Sequence, residues 1–237
     1  MEIPRFLAMT GAEFASCREK PAYIAWMACH FSPYGTGLSN LPQALPPGSM
    51  LILNDRIPIG GHDADRIANE LCETATSLKC DSILLDLQRG GCKENAKVAQ
   101  AVLACAHVPV GVSHIYAADF DCSVFLPPPE LDVSLKDHLA PWTGREIWLE
   151  AALEMTQLTV TEKGCTSLPL PYCPRSGRSF RDESLCCTYT FTLSDTAAIF
   201  NLWRTPDDLI ALLDQAGELG VTRAIGLYQQ LKEGPLA

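Results

Sequence analysis

The sequence lacks a basic surface, a long apolar segment and a leader-like beginning. It has 18 Lys and Arg residues against 28 Asp and Glu residues, a formal net charge of -10. Nucleic-acid phosphates are bound by basic faces, so we expect no nucleic-acid partner. No apolar run approaches the roughly 20 residues that cross a bilayer, and the first twenty residues contain no signal-peptide core. These absences predict a cytoplasmic protein with no membrane partner.

Paired metal ligands and the common catalytic motifs are also missing. The eleven cysteines include no CxxC pair, and zinc sites usually need such ligand spacing. Several cysteines lie inside apolar runs, which is typical of reduced, core-filling thiols. The P-loop, HExxH, GxSxG and EF-hand patterns do not occur. We therefore predict neither a metal site nor a cofactor, and the sequence does not indicate an oligomeric state.

Apolar runs alternate with helical patterns along the first two thirds of the chain. Strands that are apolar throughout and separated by helices are typical of a parallel sheet buried on both faces. Strands are predicted at 22–31, 50–55, 82–88, 108–117, 122–127 and 146–151, and helices at 63–79 and 93–106.

The last third of the chain has a different pattern. Alternation around Ser194 and Asp195 predicts a β-hairpin over 186–203. A helix follows, with Thr205 as its cap and Gly220 as its stop, and 221–231 is predicted as a final buried strand. About eight strands with helices between most of them favour one (β/α)8 TIM-type barrel domain over 1–237, with some helices reduced and the hairpin as an insertion. An open doubly wound sheet is the alternative, but no GxGxxG follows the first predicted strand.

Polar residues at the predicted strand ends are the candidate functional residues, because a barrel gathers such side chains into one pocket. Asp86 and Gln88 are two residues apart and therefore share a strand face. A carboxylate within an apolar run is costly to bury, which indicates a function for Asp86. The other candidates are His30, Asn54, Asp55, Ser113, His114, Tyr116, Glu150, Trp203, Tyr228 and Gln229.

The stretch "CDSILLDLQ" resembles the DGxDxDxE signature of family 18 glycoside hydrolases, the chitinase-like barrels. Asp86 lies at the last Asp of the signature, Gln88 at its Glu, and Leu84 at its middle Asp. Residues 200–231 resemble the closing segment of the spore-cortex members of the family, with Tyr228 where they place a Trp under the sugar. The resemblance implies a saccharide ligand that carries an N-acetyl group.

The departures from the signature bear on catalysis. In that family the signature Glu protonates the leaving oxygen, while the neighbouring Asp orients the N-acetyl group of the substrate. Gln88 cannot deliver a proton, and loss of a general acid costs about 100- to 10,000-fold in rate. The resemblance therefore implies a degenerate hydrolase that binds a small glycan at Asp86, Gln88 and Asp55, with weak or no hydrolysis. Tyr116, Trp203 and Tyr228 would stack on the sugar, and His114, Glu150 and Gln229 would contact it.

Two alternatives remain open from the sequence. The first is an active hydrolase in which Asp55 and Glu150, at the ends of other strands, supply the missing acid. The second is a thiol-dependent enzyme, in which Arg89 lowers the pKa of the Cys92 thiol and His114 acts as base.

Overall fold

Eight parallel strands close into a barrel in the computed structural model, which describes residues 3–35, 37–61, 63–174 and 177–231. The first strand, Arg5–Met9, pairs with both Ile24–Phe31 and Val221–Leu227, and these two pairings complete the ring. The barrel strands are β1 (Arg5–Met9), β2 (Ile24–Phe31), β4 (Met50–Asn54), β5 (Ser82–Asp86), β6 (Val110–Ser113), β7 (Ser123–Leu126), β8 (Ile147–Ala151) and β14 (Val221–Leu227). The two-residue strand β3 (Leu38–Ser39) lies outside the ring, antiparallel to the end of β2.

Helices connect several of these strands on the outside of the barrel. They are α1 (Gly11–Ser16), α2 (Ala64–Ser77), α3 (Lys93–Cys105), α4 (His114–Ala117), α5 (Leu135–Leu139), α6 (Pro206–Glu218) and α7 (Tyr228–Leu231). Thr205 and Asp208 form a reciprocal capping box at the start of α6, as the sequence predicts for its cap. The predicted (β/α)8 fold is confirmed. None of the helices among the described residues combines the length and the apolar character that a membrane span requires.

A second, antiparallel sheet is inserted between β8 and α6. Its strands are β9 (Met155–Thr161), β10 (Gly164–Leu170), β11 (Phe180–Asp182), β12 (Cys187–Leu193) and β13 (Ala197–Trp203). The predicted hairpin is confirmed as β12 and β13, but it belongs to a five-stranded sheet in the order β10-β9-β13-β12-β11. The outer strands escaped prediction because β10 is exposed along most of its length and so carries no burial pattern.

One strand of the barrel was not predicted, and two predicted strands end earlier in the structure. The sequence analysis missed β1, where Phe6 and Met9 are fully buried. The predicted strand 108–117 stops at Ser113, and the chain then turns into α4. The predicted strand 221–231 likewise stops at Leu227 and continues as α7. In both places apolar residues are buried on a helical turn, which a short apolar run does not distinguish from a strand.

The interior of the barrel is filled by large apolar side chains from most of its strands. Trp148 is fully buried at its centre, together with Phe6, Ala8, Ala25, Met50, Ile52, Leu84, Phe125 and Ile225. Gly111 on β6 leaves the space that the indole of Trp148 occupies, since a Cβ at this position would overlap the ring. Among the described residues, apolar side chains therefore fill the barrel below the carboxyl ends of its strands.

We expect Gly111→Ala to destabilise the fold by about 1–3 kcal/mol, because the added methyl group forces the buried indole or the strand to move. Gly61→Ala is the matched control, since a Cβ there meets no atom within 4 Å, and its effect should stay within about 0.5 kcal/mol. Urea unfolding of both variants measures the difference. Equal stability of the two variants would contradict this account of the core.

Candidate functional site

A cavity of about 1500 Å³ opens at the carboxyl ends of the barrel strands. Small-molecule sites usually occupy about 300–1000 Å³, so this cavity has room for an extended ligand. Seven of the residues predicted at strand ends line it, namely His30, Asn54, Asp55, Asp86, Gln88, His114 and Glu150. Ser113 is buried beside it, and its hydroxyl donates to the carbonyl of Leu87 at 2.6 Å.

Two carboxyl groups lie on the floor of the cavity. Asp86 ends β5 and Glu150 lies near the end of β8, each two residues after a side chain of the barrel interior, Leu84 and Trp148. The period of two along a strand therefore points both acids into the cavity. Both are half-buried among apolar side chains.

Burial and neighbouring negative charges raise the pKa of both acids. Desolvation, followed by the negative charges of Asp86 and then Glu154, raises the pKa of Glu150 to about 7. Desolvation is also the main cause that raises the pKa of Asp86; the Gln88 amide opposes it, and Asp55 adds to it. Glu150 can therefore hold a proton near neutral pH, which an ordinary surface glutamate does not.

Gln88 lies beside Asp86, in the loop that follows β5. Its side-chain amide donates to Oδ1 of Asp86, and the side chain is otherwise exposed at the cavity. The amide oxygen and the second N–H remain available to a ligand. Gln88 can therefore hydrogen-bond a polar ligand and orient Asp86, but it has no proton to give.

Asp55 holds the loop after β5 in place. Its buried carboxylate accepts from the backbone N–H groups of Gln88 at 3.0 Å and Arg89 at 2.8 Å, and from Nδ2 of Asn95 at 2.8 Å. Both oxygens are thus engaged within the protein. The geometry supports a positioning role for Asp55 rather than the acid role that the sequence analysis considered.

Tyr116 is also committed to this loop. Its hydroxyl donates to the carbonyl of Arg89 and accepts from the backbone N–H of Cys92 at 3.3 Å and from Asn95 at 3.4 Å. Its ring is buried, and it does not line the cavity. The position of the ring does not support the predicted stacking on a ligand, because α4 turns the ring into the core.

Trp203, Tyr228 and Gln229 do not reach the cavity either. Trp203 ends β13 in the second sheet and is only 2% exposed. The chain turns into α7 directly after Leu227, so Tyr228 points elsewhere and its hydroxyl donates to Sγ of Cys17 at 3.5 Å. Gln229 is exposed outside the cavity lining. Each was predicted at the end of a barrel strand, and the structure places all three away from the cavity lining.

The aromatic side chains that do line the cavity are Phe14, Trp26 and Phe125. Phe14 and Trp26 meet edge to face, with centroids 5.9 Å apart and planes at 77°. Nε1 of Trp26 donates to the carbonyl of Asn40 at 2.8 Å, in the loop that also borders the cavity. The sequence analysis missed this pair, because Trp26 lies mid-way along an ordinary apolar strand.

A bulge in β2 explains how mid-strand residues come to face the cavity. The pairing of β2 with β4 shifts register between Trp26 and Cys29. Asn54 stabilises the bulge by donating from Nδ2 to the carbonyls of Met27 and Cys29, each at 2.9 Å. Met27 and Ala28 consequently line the cavity. The role of Asn54 is structural, and nothing in the sequence marks the bulge.

The thiol hypothesis required Cys92 beside His114. Cys92 lies at the N-terminus of α3, outside the cavity lining, and its Sγ contacts Oε2 of Glu94 at 3.5 Å. His114 does line the cavity, and burial lowers its pKa. No hydrogen bond joins the two side chains within the described ranges, and these ranges hold no cluster of three or more metal-ligating side chains.

Glu150→Gln tests the electrostatics of the cavity floor. The pKa of Glu150 is raised in the folded protein, so ionisation of Glu150 destabilises the fold as the pH rises from about 4.5 to about 7. The glutamine of the variant does not ionise, so this part of the decrease in stability is absent from it. A shift from 4.5 to about 7 corresponds to at most about 3–4 kcal/mol, at about 1.4 kcal/mol per pKa unit. Urea unfolding at pH 5 and pH 8 should show a smaller decrease for the variant. Glu73→Gln, at an exposed position of α2, should behave as wild type, and an unchanged decrease in Glu150→Gln would contradict the assignment.

No family model matches the chain, and no curated protein matches it by sequence. Solved structures do match it. A family 18 N-acetylglucosaminidase from Paenibacillus barengoltzii is 10% identical over 99% of this chain and 98% of that chain, with a TM-score of 0.62. A family 18 chitinase from Cycas revoluta, solved in complex with (GlcNAc)4, is 10% identical over 94% of each chain, with a TM-score of 0.55.

A third similar structure is the chitinase-like agglutinin from Robinia pseudoacacia. It is 8% identical over 93% of each chain, with a TM-score of 0.56. Structural similarity at such low sequence identity shows a shared fold. The chain has the TIM-barrel fold of the chitinase-like glycoside hydrolases of family 18.

Proposed function

We propose that the cavity binds an N-acetylated sugar or small glycan, with Asp86 as its central polar contact. The observation that carries the proposal is the position of Asp86, whose half-buried carboxylate lies on the cavity floor beside apolar side chains of the barrel interior. Apolar walls with a few fixed polar groups are typical of sites for small ligands. An amide N–H is a suitable partner for such a carboxylate, and the acetamido group of the sugar supplies one.

The remaining lining of the cavity suits a saccharide. The edge-to-face pair of Phe14 and Trp26 gives one wall an aromatic surface, which packs against the apolar face of a pyranose ring. Gln88 offers an amide oxygen and an N–H to sugar hydroxyl groups, and protonated Glu150 offers an O–H. The ligand thus meets both stacking and hydrogen-bonding groups.

Two of the similar structures support this class of ligand. The chitinase from Cycas revoluta was solved with a GlcNAc tetrasaccharide, and the protein from Robinia pseudoacacia is named a chitinase-like agglutinin. The fold therefore occurs both in a named hydrolase and in a protein named for agglutination. With Gln88 at the position of the signature acid, binding with weak or no hydrolysis is the function that we propose.

Slow hydrolysis with Glu150 as the acid is the second candidate. It is favoured by the pKa of Glu150, raised to about 7, since a general acid works best when its pKa lies near the working pH. In this reaction the Glu150 proton passes to the glycosidic oxygen as the bond from that oxygen to C1 breaks. Water then adds to C1, and its proton returns to the carboxylate. Asp55 takes no part in these steps, because its carboxylate is occupied by the loop.

Calorimetric titration with chitooligosaccharides tests the binding site. Asp86→Ala should abolish binding, or weaken it beyond detection, because it removes the charged acceptor on the cavity floor. Asp195→Ala, at the exposed turn between β12 and β13, is the matched control and should bind as wild type does. Full affinity in Asp86→Ala would show that the site is wrong.

The same mixtures, kept after titration and separated by chromatography, distinguish the two candidates. Saccharides that keep their length in these mixtures indicate a protein that binds the glycan without hydrolysing it. Shortened saccharides indicate hydrolysis, and Glu150→Gln should then lower its rate by about 100-fold or more. Hydrolysis that is unchanged in Glu150→Gln would exclude Glu150 as the acid.

A further inference from the structure

Two arginines lie at the mouth of the cavity, although the chain as a whole is acidic. Arg56 directly follows Asp55, and Arg89 directly follows Gln88; both are exposed and line the cavity. We call these two side chains the cationic rim. The rim lies beside the loops after β4 and β5, at the same side of the barrel as Asp86.

No carboxylate among the described residues forms an ion pair with the cationic rim. The four ion pairs within the described part of the chain involve Arg5, Arg181, Arg204 and Arg223. Nε of Arg89 donates to the backbone carbonyl of Asp55 at 3.0 Å, and Nη2 donates to that of Arg56 at 3.2 Å. A guanidinium has five N–H donors, and the described residues accept from two of those of Arg89, which leaves three for a ligand.

Arg89 is also held in a defined place relative to the floor of the cavity. Asp55 binds the backbone N–H groups of Gln88 and Arg89, and Tyr116 binds the carbonyl of Arg89. Gln88 in turn contacts Asp86. A continuous series of fixed groups therefore leads from Asp86 on the floor, through Gln88, to Arg89 at the mouth. A guanidinium fixed in this way loses little entropy when it binds an anion.

We propose that the cationic rim is a subsite for a negatively charged substituent, and that the ligand is an N-acetylated saccharide that carries a carboxylate or a sulfate ester. The inference rests on the proposed function, since the sugar ring would occupy the cavity floor. Planar or tetrahedral oxyanions accept paired N–H bonds from a guanidinium, which gives both affinity and orientation. The acids of the floor, Asp86 and Glu150, disfavour an anion deeper in the cavity, so the charge selects the orientation of the ligand.

Matched saccharides test the subsite by calorimetry. N-acetylmuramic acid carries a lactyl carboxylate that N-acetylglucosamine lacks, and its methyl ester keeps the bulk without the charge. We expect the acid to bind about 10-fold more tightly than the ester at low salt, as hydrogen bonds to charged groups predict. This preference should shrink as ionic strength rises. N-acetylglucosamine 6-sulfate, compared with N-acetylglucosamine, shows whether a sulfate ester serves as well.

Arg56→Gln is the decisive variant, because the Arg56 side chain makes no hydrogen bond or ion pair with other described residues and its loss leaves the loop intact. It should lower the preference for the acid over the ester several-fold while leaving affinity for the ester unchanged. Arg66→Gln, at an exposed position of α2 outside the cavity lining, removes the same charge and should keep the preference. Arg89→Gln should lower the preference for the acid over the ester further than Arg56→Gln does.

The outcomes separate this inference from the proposed function. Equal binding of acid and ester by the wild type, with no preference for the sulfated sugar over N-acetylglucosamine, would overturn the subsite and leave the glycan site standing. A loss of affinity in Arg56→Gln that is equal for the acid and the ester would also overturn the subsite. Such a result would mean that Arg56 does not distinguish a charged ligand from a neutral one. If no saccharide binds, including neutral chitooligosaccharides, the proposed function fails and the subsite fails with it.

Discussion

The buried carboxylate of Asp55 is the constraint on which the mouth of the cavity depends. It accepts three hydrogen bonds, two of them from the backbone of Gln88 and Arg89. A buried carboxylate without such donors would be strongly unfavourable, so the loop after β5 cannot move away without exposing or stranding the charge. This single group therefore fixes an amide beside Asp86 and a guanidinium at the mouth. The apparent catalytic candidate serves as the anchor of the site.

The positions of the two acids on the cavity floor follow from the alternation of side chains along a β-strand. Asp86 and Glu150 each lie two residues beyond a buried side chain of the barrel interior, so the period of two brings them together from different strands. Both acids are therefore predictable from the sequence as candidate site residues. Their pKa values cannot be foreseen from the sequence, because these depend on desolvation and on the approach of the two strands across the barrel. The resemblance places Gln88 at the signature acid, whereas burial raises the pKa of Glu150 to about 7.

The errors of the sequence analysis have a common physical origin. Burial and direction are set by tertiary contacts, whereas a pattern shows only that a residue follows an apolar run. Trp203 follows such a run in the second sheet, and Tyr228 follows one at a strand that turns into a helix. Trp26 reaches the cavity through a bulge that Asn54 holds open by hydrogen bonds to two backbone carbonyls. The barrel itself was predictable because alternating apolar strands and helices leave few other arrangements.

In the proposed site, the acetamido group of a bound sugar lies against Asp86. A crystal structure of the protein soaked with a chitooligosaccharide tests this placement most directly. We expect a sugar ring in the cavity, packed against Phe14 and Trp26, with its amide N–H within hydrogen-bond distance of the Asp86 carboxylate. A saccharide bound elsewhere on the molecule, with the cavity left to water, would contradict it.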